Sequence, residues 1–302
     1  MIENEQNERV EEGKQKKPKK AKLKTRDVII LSIAFLILLF FIALPIIGII
    51  TTAIDTSTPK GDTFTYKGGS KKYSTRNDEY THLVVKKGVE TIVDECFWEF
   101  SAALDVSIPD GVKTIGSEAF MECSSLSEVT LPDGVETIGR GAFMECSSLS
   151  DVSLPDSVTE IGKHAFAFCS SLQSVVLPSG IERIEDYTFF FCSSLSSAVL
   201  PEGLTEIGAR AFSGTCLSDA VIPDGVARIG EFAFHGTKLS TAVVPLGVTR
   251  LERFSFADCS DLTEITYRGT KEQWNAIEKD PNWMKGSPVA TVHCVDGDLS
   301  VE

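Results

Sequence analysis

Hydrophobic residues recur along this chain with a period of 22 or 23 residues. From Val106 it reads VSIPDGVKTIGSEAFMECSSLSE, and six further segments repeat this pattern of apolar and polar positions as far as Glu264. A less regular copy over residues 83–105 precedes them, which makes eight repeats, beginning at residues 83, 106, 129, 152, 175, 198, 220 and 242. A fixed period of this length predicts a solenoid, in which each repeat forms one coil and stacks on its neighbours.

Within each repeat the pattern predicts a short strand, a turn, a second apolar stretch and one short helical turn. In the third repeat, Val129-Thr130-Leu131 alternates as a strand does, with Val and Leu inward and Thr outward. Pro132 ends the strand because it has no N–H to continue a ladder, and Asp133-Gly134 is typical of a turn. Ala142-Phe143 is predicted to pack inward from the helical turn.

Stacking places equivalent residues of successive repeats in columns that no single repeat could bury alone. The phenylalanine column comprises Phe97, Phe120, Phe143, Phe166, Phe189, Phe212, Phe234 and Phe256. The isoleucine column comprises Ile92, Ile115, Ile138, Ile161, Ile184, Ile207, Ile229 and Leu251. Both columns are expected in the interior of the solenoid.

The repeat pattern LxxVxLPxxVxxIGxxAFxxCxxL, over residues 83–264, resembles the BspA-like (Treponema-type) leucine-rich repeats of microbial cell surfaces. The resemblance implies a leucine-rich-repeat solenoid with an extracellular adhesion or recognition role. Residues 265–302 are interpreted as a C-terminal cap and tail, since the segment 265–277 resembles the cap that often follows such arrays. Thr270 and Gln273 are spaced as the capping box of a short helix, and Trp274 and Ile277 can cover the last coil.

Ahead of the repeats lies an uncharged run of 23 residues, Val28–Ile50. As a helix it would be about 34 Å long, enough to cross a hydrocarbon core of about 30 Å. The alternative is a cleaved signal peptide, but its apolar part is usually only about 7–15 residues long, and no good small-residue cleavage site follows here. We therefore predict a retained transmembrane helix.

Charge predicts the orientation of this helix. The segment Lys14–Arg26 carries eight cations directly before it, and basic flanks stay in the cytoplasm. Residues 1–27 are therefore predicted to form a cytoplasmic basic tail, and the repeats to lie outside the cell on a single-pass anchor in the cell membrane. Residues 51–82 are interpreted as a polar stalk, with a short strand around Phe64–Tyr66 near the first repeat.

The rest of the chain is strongly acidic. Residues 1–27 hold nine Lys/Arg and six Asp/Glu, so the remaining 20 basic and 37 acidic side chains of the whole protein give residues 51–302 a net charge of −17. Nucleic-acid binding draws mainly on Lys and Arg that neutralise phosphates. The composition thus argues against nucleic acid as a partner.

The cysteines follow the repeat rather than a disulfide pattern. Cys123, Cys146, Cys169 and Cys192 are spaced by 23 residues, and Cys259 holds the same position. Neighbouring Cβ atoms in such a column lie about 4.8 Å apart, beyond the roughly 3.8 Å typical of a disulfide, so buried free thiols are predicted. There is no CxxC pair and the four histidines are scattered, so we predict no metal site, no cofactor and no catalytic activity.

Two sets of hydrophobic residues lie at positions that the repeat leaves free. Four consecutive repeats carry valine at the outward position of the strand: Val176, Val199, Val221 and Val243. The second set is an aromatic ridge of Phe190, one position past the phenylalanine column, and its neighbours Phe168 and Phe191. These rings either pack within the loops or form a hydrophobic surface for a partner. Valine also suits strands in general.

These residues are the predicted contact surface of a membrane-anchored extracellular module that binds a protein or glycan through its repeat face. The alternative is a structural spacer or cell-envelope-organising protein without a dedicated ligand, which should have polar outward columns throughout. The sequence indicates neither the identity of the ligand nor an oligomeric state.

Overall fold

The computed structural model describes residues 63–70, 73 and 79–301, where the chain forms a β-solenoid of stacked coils. Contacts divide the chain into residues 1–53 and 54–302, and all the described residues belong to the second unit. The predicted transmembrane helix Val28–Ile50 and the basic tail lie outside the described residues. Within the described part, no helix is long and apolar enough to span a membrane.

The first strand of each coil builds one row of parallel β-structure, interrupted into segments along the solenoid. The segments are β1-β2-β4, β6-β8, β10-β12 and β15-β17-β19-β20, and only the last pair is antiparallel. Their bounds are β1 Thr63–Tyr66, β2 His82–Val85, β4 Asp105–Ser107, β6 Glu128–Thr130, β8 Asp151–Ser153, β10 Ser174–Val176, β12 Ser197–Val199, β15 Thr241–Val244, β17 Glu264–Tyr267, β19 Thr291–Cys294 and β20 Gly297–Ser300.

A second row consists of two-residue parallel strands, ordered β3-β5-β7-β9 and β11-β13-β14-β16-β18. Their bounds are β3 Thr91–Ile92, β5 Thr114–Ile115, β7 Thr137–Ile138, β9 Glu160–Ile161, β11 Arg183–Ile184, β13 Glu206–Ile207, β14 Arg228–Ile229, β16 Arg250–Leu251 and β18 Glu278–Lys279. In each strand that belongs to a repeat, the polar residue faces outward and the Ile or Leu faces the core. This confirms the isoleucine column.

The phenylalanine column is also confirmed and runs through the centre of the solenoid. All eight side chains are fully buried. Neighbouring rings lie 5.0–5.6 Å apart between centroids, with interplanar angles of 1–17°. The coil spacing therefore sets the ring spacing, and each ring packs between two others.

The predicted helical turn in each repeat is wrong. Each repeat instead has an irregular segment between its second strand and the buried Cys or its equivalent, which we call the turn segment. Its N–H groups bond alternately within the coil and to the next coil, as when Phe120 N donates to Ala142 O at 2.8 Å. Left-handed residues such as Glu118 (φ 56°) and Glu122 (φ 63°) interrupt any right-handed helix and direct these N–H groups across the coils.

Among the described residues the single α-helix is α1, Lys271–Ala276, in the C-terminal cap. The predicted capping box is present, since Gln273 N donates to Thr270 Oγ1 at 3.2 Å and Thr270 N donates to Gln273 Oε1 at 2.9 Å. Trp274 is buried, as is Trp283, which sequence reasoning missed. The Trp283 ring meets Phe256 edge-on at 6.1 Å and so closes the end of the phenylalanine column.

The other end of the column is closed by part of the predicted stalk. The strand expected around Phe64–Tyr66 is present as β1, which pairs in parallel with β2. Phe64 and Tyr66 are buried and lie edge-on to Phe97, with centroids 6.0 and 5.8 Å away. The solenoid thus begins ahead of the first repeat, and aromatic rings cover both ends of its core.

Candidate interaction surfaces

The valine strip comprises Val176, Val199, Val221 and Val243 on the outer face of the first-strand row. Parallel pairing places Val176 beside Val199, and a single bridge places Val221 beside Val243. The exposed fractions of Val176, Val199 and Val221 are 63%, 53% and 65%, and Val243 is half-buried. The outward orientation expected from the alternation is therefore present, and the role of the strip in binding stays a prediction.

The column beside the strip changes in character along the solenoid. Glu128 and Asp151 are exposed carboxylates in the N-terminal half, whereas exposed serines, Ser174 and Ser197, flank the first two valines. Asp105, at the N-terminal end of this column, is bonded to His82 by an imidazole–carboxylate contact of 2.7 Å that the sequence did not suggest. The strip is thus an apolar surface with an acidic border on one side.

The outer face of the second-strand row differs, because its charges from Arg183 to Glu278 are paired. Arg183 Nη1 lies 2.8 Å from Glu206 Oε2, and Arg228 contacts Glu206 on one side and Glu252 on the other, with 2.9 Å from Nε to Glu252 Oε1. Arg183, Glu206 and Arg228, at the outward position of three successive second strands, could have indicated part of this ion-pair network. Its charges satisfy each other, which makes this face a poor candidate for a charged partner.

The buried cysteine column confirms the expected free thiols. Every cysteine of the chain is unpaired, and each Sγ of this column donates to the carbonyl of a column phenylalanine in the preceding coil, as Cys123 does to Phe97 O at 3.2 Å and Cys146 to Phe120 O at 3.1 Å. Burial raises the pKa of the Cys123 thiol to about 12. These thiols link adjacent coils, and the raised pKa leaves them as poor nucleophiles.

The aromatic ridge of Phe168, Phe190 and Phe191 lies in the turn segments, so it occupies a different part of the coil from the valine strip. Its rings contact each other, with centroids 4.6 Å apart for Phe190 and Phe191 and 5.4 Å for Phe168 and Phe190. Phe191 is 36% exposed and its ring packs over Gly214, where an added Cβ would lie 3.3 Å from the ring. The ridge is therefore partly packed and partly accessible.

A neighbouring column of the turn segments, which sequence reasoning missed, is left-handed in every repeat. In each of the last five repeats it carries a large side chain, with φ between 56° and 63°: His164, Tyr187, Arg210, Phe232 and Phe254. Glycine, present in this column as Gly141 in the third repeat, would avoid a left-handed cost of roughly 1–2 kcal/mol per residue. The signal was the run of aromatic and basic residues two positions before the phenylalanine column.

Similarity to known families agrees with this architecture. The family described as "BspA type Leucine rich repeat region" matches the chain in six copies, over residues 71–196 and 182–279. The chain belongs to this BspA-type leucine-rich-repeat family. Leucine-rich-repeat proteins are typically non-catalytic binding modules. No curated protein matches this chain significantly.

Solved bacterial leucine-rich-repeat proteins resemble this chain to different degrees. A protein from Bacteroides ovatus ATCC 8483 is 26% identical over 73% of this chain and 62% of its own, with a TM-score of 0.56. The chain thus spans less than two thirds of that relative. The T. pallidum leucine-rich-repeat protein TpLRR is 28% identical over 69% of this chain and 76% of its own, with a TM-score of 0.42. A leucine-rich cell surface protein from Faecalibacterium prausnitzii A2-165 is 23% identical over 74% and 92%, with a TM-score of 0.35.

Proposed function

We propose that this BspA-type protein is a membrane-anchored extracellular binding module that recognises another protein through the valine strip. The observation that carries the proposal is the exposure of Val176, Val199 and Val221, each more than half exposed on one regular face. Valine suits strands in general, but a solenoid that acts only as a spacer does not need valine rather than threonine at the outward position of four successive repeats. Contiguous exposed apolar residues with a polar border are typical of protein contact sites.

The chemistry of the strip favours a particular kind of partner. Short branched side chains on a flat β-surface offer area for apolar packing but few hydrogen-bond donors for a glycan. The border carboxylates of Glu128 and Asp151 and the net charge of −17 over residues 51–302 complement a basic rim. The expected partner therefore presents an apolar patch bordered by Lys and Arg.

Location at the cell surface is part of the proposal and rests on the uncharged run Val28–Ile50 and the cations before it. Protease added to intact cells should remove the repeats and leave residues 1–27 protected. A secreted repeat domain whose N-terminus lies near residue 54 would instead indicate a cleaved signal peptide.

The binding role is tested with the full chain as bait against cell-surface and matrix extracts, followed by affinity measurements with the captured protein. Val199→Glu with Val221→Glu should leave the melting temperature nearly unchanged, because outward positions carry little packing. It should weaken binding about a hundredfold or more, since an uncompensated charge in a buried interface costs several kcal/mol.

The matched control adds the same two charges to the polar half of the same face, as Thr130→Glu with Ser153→Glu, and should bind normally. A valine variant that folds and binds as the wild type would remove the strip from the interface. Loss of binding in both variants would indicate a general charge effect, and no captured protein at all would favour a structural spacer.

A further inference from the structure

Acidic side chains flank the valine strip on both sides. Asp219 lies two positions before Val221, and residues two apart in an extended chain share one face. Glu202 lies in the turn that follows the strand, three residues after Val199, and three residues of chain span at most about 11 Å. Both carboxylates are exposed, and no Lys, Arg or His nitrogen of the described residues lies within 4.0 Å of either.

The basic groups at the C-terminal end of the strip are already held by carboxylates. Arg268 Nη1 lies 2.7 Å from Asp224 Oδ1. His293 continues the outward column beyond the valines, with its Nδ1 2.9 Å from Asp298 Oδ1 and its Nε2 3.7 Å from Glu264 Oε2. Three carboxylates thus face two basic groups, so this end of the strip also carries a net negative charge.

The apolar part of the strip is only one side chain wide. The outward positions just before the first two valines hold the exposed serines Ser174 and Ser197, and a turn follows each strand. A complementary partner therefore presents a narrow apolar stripe with cations along both of its edges.

Spacing along the strip distinguishes a helix from an extended chain. The four valines cover three coil steps, about 14 Å at about 4.8 Å per step. Three turns of an α-helix rise about 16 Å, so one residue per turn stays within about 2 Å of the valine it faces. Every second residue of an extended chain advances about 6.7 Å, which gives about 20 Å over three such steps. An extended chain therefore loses register with the valines by more than one coil.

The backbone beneath the strip is closed to an added strand. The valines lie on a face of the first-strand row, where β10 pairs in parallel with β12 and Leu177 N donates to Val199 O at 3.0 Å. Strand addition needs an open sheet edge. Side chains alone are left for recognition, and a helix laid on the face presents only side chains.

We propose that the valine strip binds a cationic amphipathic α-helix of another protein, which lies along the solenoid with one apolar residue per turn on the valines. This names the partner of the function proposed above and rests on that function. A helix with its side chains is about 10–12 Å wide, so Lys or Arg on its two edges extends towards Glu202 on one side and Asp219 on the other. The net charge of −17 over residues 51–302 attracts such a partner.

The test uses a synthetic peptide of about 18 residues, with one Leu per turn on a single line, Lys along both edges of that line and Ala elsewhere. One comparison peptide has the same composition with the leucines spread around the helix, and a second carries a central Pro that breaks the helix. The full chain in phosphatidylcholine nanodiscs is titrated by fluorescence anisotropy, with empty nanodiscs as the blank. The designed helix should bind at least about tenfold more tightly than either comparison peptide.

Variants of the strip and its flanks locate the bound peptide. Val199→Ser with Val221→Ser removes two apolar contacts and should weaken binding about tenfold or more. Glu202→Gln with Asp219→Asn should weaken it several-fold and reduce its salt dependence, because two ion pairs are lost. Both variants change exposed side chains, so their melting temperatures should stay within a few degrees of the wild type.

The matched control, Glu136→Gln with Glu160→Gln, removes two exposed carboxylates near the second-strand row and should change the affinity by less than about twofold. An equal loss in both carboxylate pairs would show general charge attraction and overturn the assignment of the flanks. Peptide binding that is unaffected by the valine substitutions would overturn the proposal, since the helix would then lie elsewhere. Binding of the designed helix no tighter than that of the comparison peptides would overturn the helical partner alone. The strip would stay a contact surface if the captured protein still lost affinity for Val199→Glu with Val221→Glu.

Discussion

Truncation of one ring of the phenylalanine column, Phe143→Ala, should cost about 3–5 kcal/mol of unfolding free energy. Phe143 is fully buried, and its ring lies parallel to those of Phe120 and Phe166, with centroids 5.2 and 5.4 Å away and interplanar angles of 1° and 6°. The variant loses the transfer free energy of the ring and both stacking contacts, each worth about 0.5–1.5 kcal/mol. Because neighbouring coils fix the ring spacing, the void cannot collapse fully.

Urea denaturation of the purified chain, followed by circular dichroism, measures this loss. A coil in the middle of a solenoid couples its neighbours, so the transition should also broaden as the two halves of the repeat array unfold less cooperatively. The matched control is Phe191→Ala, the same truncation at a ring that is 36% exposed, with an expected cost of about 1 kcal/mol. A loss below about 1 kcal/mol for Phe143→Ala would contradict the packing described for the core.

Other expected outcomes concern the thiols, Gly139 and the half-buried imidazole of His164. At pH 8 the half-buried Cys216 should react with iodoacetamide before Cys123, whose pKa is raised to about 12 by burial, and a non-reducing mass spectrum with two intramolecular disulfides would contradict the free thiols. Gly139→Ala should lower the free energy of unfolding by about 2 kcal/mol or more, because the added Cβ would lie 2.6 Å from a backbone nitrogen of the preceding coil. The control Gly203→Ala, whose Cβ would lie 3.7 Å from the nearest atom, should change it by less than about 1 kcal/mol. Burial, followed by the charge of Arg140, lowers the pKa of His164 from 6.5 to about 4. On acidification the unfolded chain therefore binds a proton at this histidine before the folded chain does, so the free energy of unfolding should fall as the pH drops from 6.5 to 4. Thermal melts of His164→Asn should show a smaller loss over this range, and an identical pH dependence would refute the assignment.

The interior was predictable because burial of repeated apolar residues leaves few alternatives. A phenylalanine that recurs every 22 or 23 residues can be buried only by stacking, and all eight are fully buried. The capping box of α1 was predictable for a similar reason, since Thr270 and Gln273 satisfy each other's backbone N–H groups locally.

The turn segments could not be predicted from pattern alone. Their apolar spacing is compatible with a helical turn, but bonding between coils competes with bonding within the coil, and the inter-coil bonds prevail. The left-handed residues that make this possible, such as Tyr187 (φ 63°) and Arg210 (φ 56°), are of types that usually avoid that conformation. Outward positions follow from the alternation within a strand, so the exposed valines could be predicted. The stacking of Arg210 on Phe232 could not, because it depends on a side-chain contact between two coils.

The central claim, that the valine strip is the protein contact surface, is tested most directly by photo-cross-linking. A benzophenone side chain is placed singly at position 199, at position 130 on the polar half of the same face, and at position 191 on the aromatic ridge. Incubation of each full-length variant with the captured partner, followed by mass spectrometry, should give cross-links from position 199 and none from position 130. Cross-links from position 191 with none from position 199 would contradict the claim and move the interface to the aromatic ridge.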